Sequence, residues 1–293
     1  MIEPLVTIAI PAYKSAFLTD AIRSALNQDY HNLEVLVVDD CSPDDIWVIA
    51  SRFNDSRVIY IRNATNLGKS SIVHNWNKCL ELATGDYFVL LCDDDILQPN
   101  MVSTMLSLAN AHPECGMFHA NRSILNTLGE QTEDEPWSIE ESADEFITNK
   151  FAGKRKHTIT EFFYKTDYIK DEKYIVFPVG FYSDDVTILK LCMRQGKMIS
   201  SSEPLVVFRE SDIHITGNDK YIEGKIRAFV QYYQFLQTTP YLKDRISQEG
   251  YECILSQYMT HCDKKTLIKL LPLLPKSSTM LKTITYHLLK RQA

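Results

Sequence analysis

Short apolar runs alternate with one-sided apolar stripes through the first 120 residues. Leu5–Ile10 reads as a buried strand. Phe17, Leu18, Ala21, Ile22, Ala25 and Leu26 recur at helical spacing. Leu33–Val38, Val58–Ile61 and Tyr87–Cys92 read as three more strands. A helix is predicted over about residues 70–83, ended by Gly85. Pro99 is placed to open the next helix, through Met101, Met105 and Leu108, since proline suits a first helical turn. Strands alternating with helices predict an α/β fold with a mainly parallel sheet covered on both faces. In such sheets ligands sit at the carboxyl ends of the strands.

The pattern is looser further on. Residues 130–145 hold eight acids and no base, and read as a solvated loop or short helix. Thr158–Tyr164 reads as a strand, Val186–Arg194 as a helix closed by Gly196, and Leu205–Phe208 as a short strand. From about Tyr221 the periodicity is helical. The expected division is a domain at 1–218, with halves 1–118 and 119–218, and a helical region at 219–293.

Composition narrows the function classes. The 293 residues carry 38 acids and 31 bases, a formal charge of −7. That balance argues against a general nucleic-acid binder, which should be basic. No apolar run approaches the roughly 20 residues of a spanning helix. Glu3 and Pro4 stand where a secretory leader would have its basic region. Seven cysteines without a C-x-x-C pair suit a reducing compartment, so a soluble cytoplasmic protein is expected. The last 30 residues hold seven bases and no acid, with Leu281, Ile284, Leu288 and Leu289 on an amphipathic face. That tail reads as a packed helix with a solvated basic side, or as a peripheral contact with an anionic membrane. Oligomeric state is not legible.

Candidate chemistry gathers where predicted strands end. Asp93, Asp94 and Asp95 follow a buried strand, and three adjacent carboxylates repel unless a cation neutralises them. Hard oxygen ligands suit Mg²⁺ or Mn²⁺ with substrate phosphates; a solvated turn is the bland alternative. Asp39 and Asp40 end another strand and suit a base or a ribose, or simply an Asx-turn. Residues 66–71 (NLGKSS) make a glycine turn opening a helix, where amides and Lys69 suit a phosphate, without P-loop spacing. Asp184 and Asp185 precede a helix and offer a general base, or only a favourable helix start. His214 lies in a polar stretch after Arg209.

Together these pieces resemble the family 2 glycosyltransferases of the GT-A fold. The matching stretches are Val6–Lys14 (VTIAIPAYK), Ala21–Gln28 (AIRSALNQ), Leu33–Ser42 (LEVLVVDDCS), Asn66–Gly68, Ala83–Tyr87 (ATGDY) and Asp93–Pro99 (DDDILQP). The resemblance is strong over about residues 6–118, loose over 119–218 and absent beyond. It implies an inverting transfer of a sugar from a nucleotide-sugar, UDP-linked by default, to a hydroxyl of a saccharide or lipid-linked saccharide in bacterial surface polysaccharide synthesis. It further implies that Pro11 and Tyr13 line the base pocket and that Asp40 contacts the ring with Asp39 behind it. Asp94 and Asp95 would hold Mn²⁺ or Mg²⁺, with Asp93 toward the ribose, and Asp185 would be the base. His214 corresponds to a late histidine near the metal. Two departures stand out: Cys92 replaces the first aspartate of a D-x-D-D pattern, and His74-Asn75 replaces an Arg-Asn pair. The phosphate-side contact is therefore open between Lys69 and His74. A sugar-nucleotide pyrophosphorylase is disfavoured, because its Gly- and Arg-containing loop is replaced by PAYKS; a non-catalytic nucleotide-sugar binder is the other rival.

Overall fold

The computed structural model describes residues 3–211 and 219–290. It divides into two compact units, residues up to 175 with 187–211, and residues 176–186 with the C-terminal helices. In chain order the first unit contains β1 (Val6–Ala12), α1 (Leu18–Leu26), β2 (Leu33–Asp39), α2 (Ile46–Ala50), β3 (Val58–Arg62) and α3 (Val73–Leu82). There follow β4 (Tyr87–Leu90), β5 (Ile96–Leu97), α4 (Met101–Ala111), β6 (Met117–Leu125), β7 (Gln131–Glu133), β8 (Glu140–Ser142) and α5 (Ala143–Phe151). Then come β9 (Phe162–Lys165), α6 (Thr166–Glu172), α7 (Ser183–Gln195), whose first turn belongs to the second unit, and β10 (Lys197–Arg209).

Among the described residues these strands form one sheet in the order β3-β2-β1-β4-β9-β6-β10-β5, with β7 beside β6 and β8 beside β10. The first four are parallel, with Val6 opposite Leu33 on one side and Tyr87 on the other. Beyond β4 parallel and antiparallel pairs mix. Both faces are covered. Ile8, Ile10, Val35 and Val37 pack in one core with Leu18, Ile22, Met101 and Met105 of α1 and α4. Ala9, Leu36 and Val38 alternate to the opposite face and are equally buried. The fold is the α/β sheet with flanking helices that the sequence pattern predicts.

Chain order reverses at β1. The chain builds outward through β2 and β3, then returns to place β4 on the other side of β1. In open α/β sheets such a switch point is where ligands bind, here at the carboxyl ends of β1 and β4. At the opposite, amino end of the pair, Gly85 lets the chain entering β4 lie close against the start of β1. A Cβ on Gly85 would lie 2.7 Å from Leu5 O and Thr7 N, so the close approach, beyond any helix stop, demands glycine.

Several boundaries differ from the pattern reading. Pro99 lies ahead of α4, which starts at Met101 behind an Asn100 cap. Helix α3 starts at Val73, after a separate 3-10 turn at Leu67–Lys69. Residues 159–161 form a 3-10 turn because Glu161 folds back to accept from Thr158 N at 2.6 Å, so β9 begins only at Phe162. The strand read at Leu205–Phe208 extends back to Lys197, with its pairing to β6 shifted on both sides of Pro204, which lacks the donor. The acid-rich 130–145 segment supplies β7 and β8. Its acids are not all solvated: Glu141 is buried against Arg155, and Asp134 lies 2.7 Å from Arg122.

The second unit consists of α8 (Ile222–Thr238), α9 (Gln248–Met259), α10 (Lys264–Leu270), α11 (Ser278–Lys290) and the segment 176–186. Its core includes Ile226, Phe229, Leu236, Leu255, Met259, Leu270 and Met280. Helix α11 turns Met280 and Ile284 inward and leaves Leu281 and Tyr286 each 53% exposed, so Leu281 is not on the packed face.

Candidate active site

The loops leaving β1 and β4 are joined by one carboxylate. Asp93 is buried, and its Oδ2 accepts from the backbone N–H of Tyr13 at 2.9 Å and of Lys14 at 2.8 Å. Burial raises the Asp93 pKa, with the Lys14 charge and the two amides opposing and Asp94 adding to the rise. The Lys14 ammonium reaches over the loop to lie 2.6 Å from Asp94 Oδ2 and 3.7 Å from Asp93 Oδ1. Burial works against that ammonium, yet Asp93 and Asp94 outweigh it and hold its pKa above the usual value.

Asp95 is engaged differently. Its Oδ2 accepts from Thr160 Oγ1 at 2.7 Å and its Oδ1 from Arg209 N at 3.2 Å. The Arg209 guanidinium donates to Asp94 O at 3.0 Å and stands 4.3 Å over the Phe17 ring. The ends of β1, β4 and β10 are thereby tied together. Ligand atoms of Cys92, Asp94 and Asp95 lie within 4.8 Å of one another. Burial and the neighbouring carboxylates push the Cys92 thiol well up, and its soft sulfur is a poor match for a hard cation. The two carboxylates are the suitable donors, and Lys14 shows that this corner accepts a positive charge.

The loops after β2 and β3 form a second network. Asp39 is fully buried and accepts from Ser42 N at 2.8 Å, from Tyr60 Oη at 2.7 Å and from Arg62. Asp40 accepts from Asn63 Nδ2 and Leu67 N, both at 2.8 Å, and from Gly68 N at 2.7 Å. A Cβ on Gly68 would stand 2.8 Å from Asp40 Oδ2, so the glycine is set by this approach. The amides of the glycine turn are directed at Asp40, and Lys69 and His74 are exposed beside it. Ser42 Oγ donates to Tyr13 O at 2.6 Å, linking this network to the first and leaving the Tyr13 ring 42% exposed. Pro11 is half-buried at the end of β1.

Asp184 and Asp185 stand half-buried in the first turn of α7, within the second unit. His214 lies outside the described residues. Sequence reading missed Lys14, Asn63, Thr160 and Arg209. Lys14 sits inside a quoted motif, but nothing in its spacing reveals that it folds back onto Asp94. Thr160 and Arg209 reach Asp95 from 65 and 114 positions away.

The profile of Glycosyl transferase family 2 matches residues 7–168, more than half of the chain. The chain belongs to this family. It is 36% identical over 103 residues to the UDP-Glc:alpha-D-GlcNAc-diphosphoundecaprenol beta-1,3-glucosyltransferase WfaP of Escherichia coli, covering 35% of this chain and 40% of that protein. The chain spans between about a third and two fifths of the length of several curated relatives it matches. Among solved structures it resembles S. aureus TarS 1–349 in complex with UDP-GlcNAc, with a TM-score of 0.64 and 16% identity over 98% of this chain and 82% of that one. It also resembles the mannosyltransferase PcManGT of Pyrobaculum calidifontis in complex with GDP-Man and Mn2+, with a TM-score of 0.58 and 16% identity over 99% and 81%. At such identities the likeness is one of fold, and it is the GT-A-like fold expected of a family 2 chain.

Removing the internal cation tests the corner directly. Lys14→Met leaves Asp93 and Asp94 without their ammonium and is expected to cost about 1–3 kcal/mol of stability. Millimolar Mn²⁺ should restore most of that loss in the variant and add little to the parent without nucleotide. Urea unfolding with and without Mn²⁺ checks this; equal responses of the two proteins would contradict it.

Proposed function

We propose that this family 2 chain is an inverting glycosyltransferase that moves a sugar from a nucleotide-sugar to a hydroxyl. The observation that carries the reading is the cation-seeking corner of Asp93, Asp94 and Asp95 at the switch point, tied by Asp93 to the Tyr13 loop. Asp94 and Asp95 would hold Mn²⁺ or Mg²⁺, and the ion would neutralise the departing nucleoside diphosphate. Tyr13, Pro11, Asp40 and Asp39 would shape the base pocket. Lys69 or His74 would meet a phosphate, and Asp93 would face the ribose side. UDP is taken as the default carrier, as in WfaP, whose name specifies UDP-Glc. The acceptor is read as a saccharide or lipid-linked saccharide in surface polysaccharide synthesis; the name of WfaP gives a lipid-linked GlcNAc as its acceptor.

Asp185 would take the acceptor proton as the acceptor oxygen attacks the anomeric carbon. A carboxylate is a weak base, so it acts only in concert with bond formation and within hydrogen-bond reach. Asp185→Asn is expected to lower transfer by at least about 10²-fold, the lower end for loss of a general base, while donor affinity stays within twofold. Substantial turnover by this variant on the true acceptor would show the base to lie elsewhere.

The basic tail supports a further part of the reading. No described helix is long and apolar enough to cross a membrane. Exposed Leu281 and Tyr286 lie beside Lys282 on a helix without acids in its first turn, which suits a peripheral contact with an anionic bilayer. Vesicles rich in anionic lipid should co-sediment the full chain and lose it on deletion of residues 276–293. Unchanged co-sedimentation would remove the tail from the account.

A further inference from the structure

The segment leading into α7 is strained, and the C-terminal helices hold it. Val179 has φ +53° and Tyr182 φ +62°, with Gly180 between them at +79°. A β-branched residue and an aromatic one are rarely found in the left-handed region, and such conformations persist only where surroundings over-determine them. The surroundings here are specific. Val179 presses on Gly224 of α8, where a Cβ would lie 2.6 Å from Val179 Cγ1. The Tyr182 ring stacks on Tyr232 of α8 with centroids 4.6 Å apart and planes 8° from parallel. Its hydroxyl lies 2.7 Å from the hydroxyl of Tyr258 on α9.

The backbone of the same tyrosine starts the helix. Tyr182 O accepts from Val186 N at 3.1 Å, closing the turn that presents Asp184 and Asp185. Ser183 Oγ accepts from Phe177 N at 3.1 Å and pins the other end of the loop. Burial raises the phenol pKa values of Tyr182 and Tyr258, and the charge of Asp185 adds to both. The geometric link from the tyrosine to the carboxylate is the backbone turn that Tyr182 O closes.

We propose that Tyr182 and Tyr258 are a positioning pair that sets Asp185, which makes helices α8 and α9 part of the acceptor-side machinery. The inference rests on the reading of Asp185 as the base. Tyr258 grips the hydroxyl of a residue whose backbone is the first cap of α7. Without that grip the left-handed tyrosine can relax, and the first turn moves with it. Misplacing a reacting group by about 1 Å can cost ~10²-fold in rate. Packing alone makes a different demand, because phenylalanine would then serve as well as tyrosine at 258.

The test is Tyr258→Phe in the full chain, with Asp185→Asn beside it. UDP release is measured from UDP-glucose and UDP-N-acetylglucosamine with Mn²⁺, with water as the stand-in acceptor that attacks the anomeric carbon and gives its proton to Asp185, and the Tyr258→Phe crystal structure is determined. The expected result is a kcat at least tenfold lower with donor KM unchanged, and a Tyr182 φ that leaves the left-handed region or a displaced Asp185. A Tyr258→Phe kcat within twofold of the parent overturns the pair but leaves Asp185 as base. So does a crystal structure with Tyr182 φ still near 62° and Asp185 unmoved, whichever donor is used. Equal UDP release by the parent and Asp185→Asn overturns the base reading, and the pair with it.

Discussion

The buried Asp93 carboxylate is the contact on which the first unit's site depends. It accepts two successive backbone amides from the loop after β1, although it belongs to the loop after β4. A buried carboxylate is stable only when its oxygens are hydrogen-bonded. Here those partners exist because β1 and β4 are neighbours running in the same direction. The parallel pairing thus fixes the latch, and the latch fixes where Asp94, Asp95 and the Tyr13 ring stand. The remaining negative charge is met by Lys14, the internal counterpart of the cation that a nucleotide diphosphate would bring.

The sheet was legible because its inner strands are buried on both faces. Runs such as Val6–Ala12 and Leu33–Asp39 are almost wholly apolar and cannot be placed elsewhere. The loop carboxylates stood out as acids placed directly after such strands, and the structure gives Asp39, Asp40 and Asp93 networks that hold the loops together. What sequence could not supply was pairing across long separations. Lys14 with Asp94, Thr160 with Asp95 and Arg62 with Asp39 leave no periodicity. The acids of 130–145 looked solvated because their partners, Arg122 and Arg155, lie outside that window.

The glycine turn illustrates a subtler limit. Its amides at 67 and 68 suit an anion, and they do hold one, the side chain of Asp40. The group these amides meet is internal, so they are not directed at a substrate phosphate. The same lesson applies to Tyr182. A lone tyrosine before a helix carries no signal, and only its positive φ and its grip by α8 and α9 mark it.

The reading stands or falls on whether the carboxyl ends of β1 and β4 take a nucleotide-sugar together with a divalent cation. Calorimetric titration of UDP-glucose, UDP-N-acetylglucosamine and GDP-mannose, with and without Mn²⁺, tests it most directly. At least one donor is expected to bind, removing Mn²⁺ should weaken it at least tenfold (about 1.4 kcal/mol), and Asp94→Asn should remove the metal effect. Binding of none of the three, or binding indifferent to both Mn²⁺ and Asp94, would contradict it.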